Sequence, residues 1–159
     1  MILILLGTQD KPFNRILNEV SKLKKEGYIK DKVIAQIGHT KYEKDDIKTF
    51  DFVSKDEIEK NIEEAKIVIV HGGVGIITEC LNKGKKVIVV PRLKKYKEHT
   101  NDHQIQIVKE FARNDYIIPL YNEKKLKEAL EKVKKFKPKK YVSNNEKFKD
   151  SIKKYIDKL

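Results

Sequence analysis

A single cysteine, Cys80, stands among the 159 residues, so the sequence can build neither a disulfide framework nor a cysteine-rich metal site. Long apolar runs are also missing. The longest, residues 1–6, falls far short of the roughly 18–20 residues that cross a bilayer. That run lacks the basic flank and small-residue cleavage site of a signal peptide, so the expected compartment is the cytoplasm. No serine sits on a G-x-S-x-G elbow, which argues against a hydrolase triad. His71, His99 and His103 match no zinc spacing and have no cysteine or paired carboxylate to complete a set, so no metal site is expected.

What is present is a polar but foldable chain. Hydrophobic residues make up 39% and charged residues 38%, enough apolar side chain for a core and too much for disorder. The length suits one domain, and a chain of this size buries roughly two thirds of its surface. The formal charge is +12, unevenly placed. Residues 123–159 hold 14 lysines against 6 acidic residues, a net of +8. Such a tail suits nucleic acid, an anionic membrane surface or an acidic partner, or is simply a solvated lysine-rich helical face.

Periodicity places strands at residues 2–6, 33–37, 47–53, 67–70, 87–90 and 117–118. Helical spacing runs through residues 13–26 on Phe13, Ile16, Leu17, Val20 and Leu23, with Pro12 suiting the first turn. Ser54 and Glu57 form a capping box for a helix to Ala65. Further helices are expected to about Lys83, over residues 102–113 and over 123–135. Residues 92–101 read as a polar loop and 137–145 as a linker. Beyond it, Phe148, Ile152, Tyr155 and Ile156 give a last helix a narrow apolar stripe, able to fold back or to dock on a partner. Strands alternating with helices, and apolar throughout, predict an α/β fold: a Rossmann-like parallel sheet with helices on both faces. The expected division is a Rossmann-like domain over residues 1–136 and a basic tail over 137–159.

Ligands of open parallel sheets bind beyond the carboxyl ends of strands. Three loops qualify. Gly7-Thr8-Gln9 follows the first strand, His71-Gly72-Gly73-Val74-Gly75 joins a strand to a helix, and residues 91–104 follow another strand. The glycine cluster lets backbone amides approach a diphosphate at a helix N-terminus, or is merely a tight turn. It lacks the third glycine of the dinucleotide pattern and the Lys-Ser/Thr of a P-loop. Glu79, six residues after Gly73, can accept bonds from two ribose hydroxyls, or is a surface glutamate. Asn101, Asp102, His103 and Gln104 supply both donors and acceptors for sugar hydroxyls, and Asn101 or Asp102 can also cap a helix.

Residues 67–75, Glu79, Gly84-Lys85, residues 87–91 and Asn101-Asp102-His103-Gln104 together resemble the C-terminal domain of glycosyltransferase family 28. The likeness covers about residues 1–130. It is nearest to stand-alone members: the soluble subunit of the eukaryotic two-part UDP-GlcNAc transferase and bacterial exopolysaccharide and capsule subunits. The resemblance implies one lobe of a GT-B-type enzyme. Gly7 and Thr8 would line the cleft near the phosphates. His71 and residues Gly72, Gly73, Val74 and Gly75 would line the diphosphate, Glu79 would hold the ribose, and Asp102, His103 and Gln104 would face the donor sugar. Arg92, by its loop position, would neutralise phosphate charge. Gln9 stands where the bacterial subunits often carry histidine, so no general base is named.

The implied activity is that of a UDP-sugar-binding subunit of an inverting, metal-independent, two-component glycosyltransferase with no further cofactor. Its acceptor would be a polyprenyl-diphosphate-linked sugar in polysaccharide or glycan biosynthesis. A membrane-anchored partner would supply the acceptor lobe and the base, holding this chain at the inner face of the membrane. Two alternatives remain open. One is a stand-alone homodimeric sugar-nucleotide enzyme. The other is a non-catalytic basic binding module, though no recognition-helix or RNA-stacking signature supports nucleic acid.

Overall fold

The computed structural model describes residues 1–142 and 145–156. Ser143 and Asn144 of the expected linker, and residues 157–159 of the expected tail, lie outside the described residues. So does the side chain of Ile156.

The strands are β1 (Ile2–Leu5), β2 (Val33–Gln36), β3 (Lys48–Phe50), β4 (Ile67–His71), β5 (Lys86–Val90) and β6 (Ile118–Pro119). The helices are α1 (Arg15–Lys25), α2 (Lys55–Glu64), α3 (Val74–Asn82), α4 (His103–Arg113), α5 (Leu126–Lys135) and α6 (Glu146–Ile156). The sheet runs β3-β2-β1-β4-β5-β6, and every pairing is parallel. This is the doubly wound arrangement expected from the sequence.

Alternate residues of β1 explain why both faces must be covered. Ile2, Ile4 and Leu6 join a core with Phe13, Ile16, Leu17 and Val20 of the α1 region and with Leu126, Leu130 and Val133 of α5. Leu3 and Leu5 point the other way, into a core shared with α2, α3, α4 and α6 through Ile62, Ile77, Phe111 and Phe148. Each fully buried side chain of this kind stabilises the fold by about 1.5–3 kcal/mol relative to exposure.

Some boundaries differ from expectation for physical reasons. The helix expected from Phe13 starts at Arg15. The Phe13 N–H donates instead to Thr40 Oγ1 at 3.0 Å, which holds residues 12–14 against the loop after β2. The strand expected over residues 47–53 keeps three residues at the sheet edge. The cap on α2 is as expected, with the Glu57 N–H donating to Ser54 Oγ at 3.2 Å. Residues 92–101 are not simply a polar loop: Arg92, Leu93, Glu98 and His99 are buried, and residues 94–96 form a short 3₁₀ turn.

The tail helix folds back. Phe148 and Ile152 are buried, and the Phe148 ring meets Phe111 edge-on at 4.8 Å and Tyr116 at 5.2 Å. The lysines of α6, Lys147, Lys149, Lys153 and Lys154, stay exposed. Phe148 and Ile152 of the apolar stripe are therefore packed within this chain, while the lysines beside them face outward.

Candidate functional site

β1 and β4 are neighbours whose connections leave in opposite directions, so their carboxyl ends flank a topological switch point. Gly7 follows β1, and His71 ends β4. The His71 imidazole fills a slot between the two loops. A Cβ on Gly7 would stand 2.5 Å from His71 Nε2, and one on Gly73 would stand 2.5 Å from its Cε1. Gly7 also has φ +85, a left-handed conformation that side chains resist. Gly7→Ala should therefore displace the ring, lower stability by about 1–3 kcal/mol and weaken ligand binding, read by urea denaturation and titration calorimetry.

α3 begins at Val74 with no side-chain cap on its N-terminus, and Gly75 is exposed. The first N–H groups of a helix have no partner within it, and its dipole favours an anion there. Glu79 lies further along α3. Its Oε1 is buried and has no hydrogen-bond partner among the described residues. A buried carboxylate oxygen without a donor is costly, so this atom stands out against the satisfied polar groups around it.

The loop after β5 is held by an internal network. Gln104 Oε1 accepts from the Gly72 N–H at 3.0 Å and from the Arg92 N–H at 2.9 Å. The Arg92 guanidinium is 1% exposed. It donates twice to the Leu6 carbonyl, at 2.6 and 3.2 Å, to that of Lys11 at 2.8 Å and to that of Glu98 at 3.0 Å. The Glu98 carboxylate accepts from Arg15 Nε at 3.0 Å and from the Leu93 N–H at 3.0 Å. Arg15 Nη2 donates to the Pro91 carbonyl at 2.6 Å. Sequence reasoning missed Arg15 and Glu98, which lie 83 residues apart and carry no local signal.

Two expectations need correcting here. Arg92 does not reach out to a phosphate, because its donors are engaged by the chain's own carbonyls. It is a buried positive charge that ties the loop after β1 to the loop after β5. Gln104 does not face a sugar, because it is 3% exposed and its oxygen is committed to two backbone donors. The neighbouring residues are divided. Asn101 Oδ1 accepts from the His103 N–H at 3.0 Å, and Asp102 Oδ1 accepts from the Lys94 N–H at 2.8 Å, so both shape the loop. The His103 imidazole and the exposed Thr8 make no side-chain hydrogen bond among the described residues. Among those residues no three His, Cys, Asp or Glu side chains are grouped to hold a metal.

Electrostatics follow from burial. Desolvation, aided by the charge of Arg92, lowers the pKa of His71 to about 3. Burial also lowers Arg92, to about 10, against the pull of Glu98, so it stays charged near neutrality. His99 is lowered by burial and by Arg92. The cleft thus combines one buried cation with neutral imidazoles. Because the folded-state value of His71 lies below the ordinary 6.5, the unfolded chain takes up the proton first as pH falls. The stability tied to His71 is complete above about 6.5 and is lost toward pH 3, with His99 adding in the same sense. His71→Asn should flatten the fall between pH 6.5 and about 5, by up to about 1.4 kcal/mol per pH unit, in urea titrations at stepped pH.

A hollow of about 330 Å³ between Ile2, Tyr28, Ile67 and Lys134 lies at the opposite, amino edge of the sheet. The uncapped start of α3 lies instead at the carboxyl edge. No helix among the described residues is long and apolar enough to cross a membrane.

Comparison with known proteins bears on the fold and the family. The chain is 31% identical over 110 residues to the UDP-N-acetylglucosamine transferase subunit ALG13 of Candida albicans, covering 69% of this chain and 32% of that protein. It is 29% identical over 105 residues to the human subunit of the same name, covering 63% of this chain and 9% of that one. The chain thus spans a third or less of these relatives. Among solved structures, an NMR structure of ALG13 superposes with a TM-score of 0.60 at 20% identity, covering 93% of this chain and 92% of that one. The Streptomyces nogalater glycosyltransferase SnogD superposes at 0.56 with 11% identity, covering 99% of this chain and 39% of that one. At these identities the structural likenesses show a shared fold. The model of the glycosyltransferase family 28 C-terminal domain matches residues 1–159, and the chain belongs to that family.

Proposed function

We propose that this chain is the donor-binding subunit of a two-component glycosyltransferase and that its donor is a UDP-sugar. The observation that carries the reading is the buried, unpartnered Glu79 Oε1 on the helix whose uncapped N-terminus opens at the switch point. A nucleoside diphosphate answers both features at once. Its ribose hydroxyls donate to Glu79, and its phosphates take the free N–H groups of the first turn of α3. The buried charge of Arg92 favours the diphosphate without touching it. The donor sugar then lies toward Asn101, Asp102 and His103, with Gly7 and Thr8 closing the phosphate side.

The chemistry proposed is inverting and metal-independent. An acceptor hydroxyl attacks the anomeric carbon from the face opposite the diphosphate. The bond from that carbon to the diphosphate oxygen breaks as the new glycosidic bond forms, and the hydroxyl proton passes to a base. The helix-terminal amides stabilise the departing UDP, so no cation is required for that role. No catalytic residue is assigned in this chain. A membrane-anchored partner subunit contributes the acceptor lobe, the base and a polyprenyl-diphosphate-linked sugar, and holds this chain at the cytoplasmic face. The relatives are subunits of a UDP-N-acetylglucosamine transferase, which supports a two-part enzyme.

Titration calorimetry of the purified chain with UDP, and with ADP as control, tests the reading. Selective UDP binding is expected. Equal binding of both nucleotides, or binding of neither even with the candidate partner present, would overturn it and favour a non-catalytic basic module. Full transferase activity of the chain alone as a homodimer would overturn the two-component part.

A further inference from the structure

We propose that Gln104 is a positioning residue that fixes His71 as the tautomer carrying its proton on Nε2, and that this N–H is the donor offered to the ligand's phosphate. The functional half of the proposal rests on the donor-site reading above, while the tautomer half rests on geometry alone.

The orientation of the Gln104 amide follows from its neighbours. Backbone N–H groups only donate, and two of them, those of Gly72 and Arg92, meet one end of this amide at 3.0 and 2.9 Å. That end must be the carbonyl oxygen. The other end is then the NH₂ group, which only donates, and it lies 3.3 Å from His71 Nδ1. Nδ1 must therefore present its lone pair. A neutral imidazole has one ring proton, and with Nδ1 unprotonated it sits on Nε2.

Nε2 lies in the slot between Gly7 and Gly73, the two loops that border the switch point. Among the described residues it has no acceptor, so its proton is left for a ligand that reaches the slot. The same amide that sets the tautomer also bridges the β4–α3 and β5–α4 loops through its two backbone bonds. The proton's position and the spacing of the two loops are thus set by one side chain. A neutral N–H also differs from a lysine or arginine at this spot. It donates to a phosphate oxygen without adding a second charge beside buried Arg92.

The test is ¹⁵N–¹H correlation spectroscopy of histidine-labelled protein, with the His71 signals assigned by their loss in His71→Asn. The expected pattern is a pyrrole-like nitrogen at Nε2 and a pyridine-like nitrogen at Nδ1. The reverse pattern in the unaltered chain would overturn the proposal. Gln104→Glu offers a second acceptor oxygen toward Nδ1, so it should draw the proton there and weaken UDP binding by roughly 10–50-fold. If that variant fails to fold, Gln104→Met keeps the shape, removes the lock and should give a mixed tautomer pattern with a similar loss of UDP affinity. A changed tautomer with unchanged UDP affinity would overturn the phosphate role. Expected signals in a chain that does not bind UDP would overturn the donor reading and leave the tautomer assignment standing.

Discussion

Replacing Glu79 with alanine is expected to weaken UDP binding by about 100-fold while leaving the protein at least as stable as before. The two effects have one origin. In the free chain Glu79 Oε1 is buried without a donor among the described residues, so it bears a desolvation cost of about 1–3 kcal/mol. Removing the carboxylate removes that cost and so counters the packing lost with the side chain. In the complex, each hydrogen bond from a ribose hydroxyl to the carboxylate contributes about 1.5–3 kcal/mol. Losing two such bonds, softened by water that replaces them, gives the stated factor. Calorimetry with UDP reads the first effect, and urea denaturation reads the second. Unchanged UDP affinity would place the ribose contact elsewhere. A clear loss of stability would show that Oε1 is satisfied in the free protein after all. Glu79→Gln keeps the shape and one acceptor, and it should fall between the two.

Arg92→Met should act in the opposite way, lowering stability by about 3–5 kcal/mol. The guanidinium joins the end of β1, the loop after it and the loop after β5 through the carbonyls of Leu6, Lys11 and Glu98. Methionine fills much of the volume but leaves three buried carbonyls without donors, and it removes the cation that partners the Glu98 region. Arg92→Lys should rescue little, because one ammonium cannot fork to three carbonyls. The same substitution removes a charge that holds His71 and His99 neutral, so both imidazoles should titrate closer to their ordinary range. Urea midpoints for the two variants check the first part, and histidine NMR titrations check the second. A midpoint near that of the unaltered chain would show that water takes over the carbonyls.

The legibility of this molecule in its sequence depended on range. The run from Ile67 through Gly75 to Glu79 was readable because strand, glycine turn and helix are contiguous, and each leaves a local pattern. The parallel sheet was readable because both faces of its strands are apolar. The start of α1 was not, because what stops the helix short of Phe13 is Thr40, 27 residues away. The burial of Arg92 was not, because Leu6 and Lys11 lie 86 and 81 residues from it. Gln104 was expected to face a sugar, but its oxygen is held by two backbone donors. Its position beside Asp102 and His103 is local, but the Gly72 N–H that claims its oxygen is not. The apolar stripe of the tail was visible, whereas its target, Phe111 and Tyr116, became visible only once α4 was placed.

The strand order also has a consequence for the birth of the protein. β1 leaves the ribosome before the other five strands, yet it ends at the centre of the finished sheet. It pairs with β4, which begins at Ile67. At about 5–20 residues per second, the nascent Ile-Leu-Ile-Leu segment waits roughly 3–13 seconds for that neighbour. β2 can cover one edge of that segment earlier, but the edge meant for β4 stays open throughout and is a target for self-association, so a holding chaperone at the exit tunnel should matter for this chain.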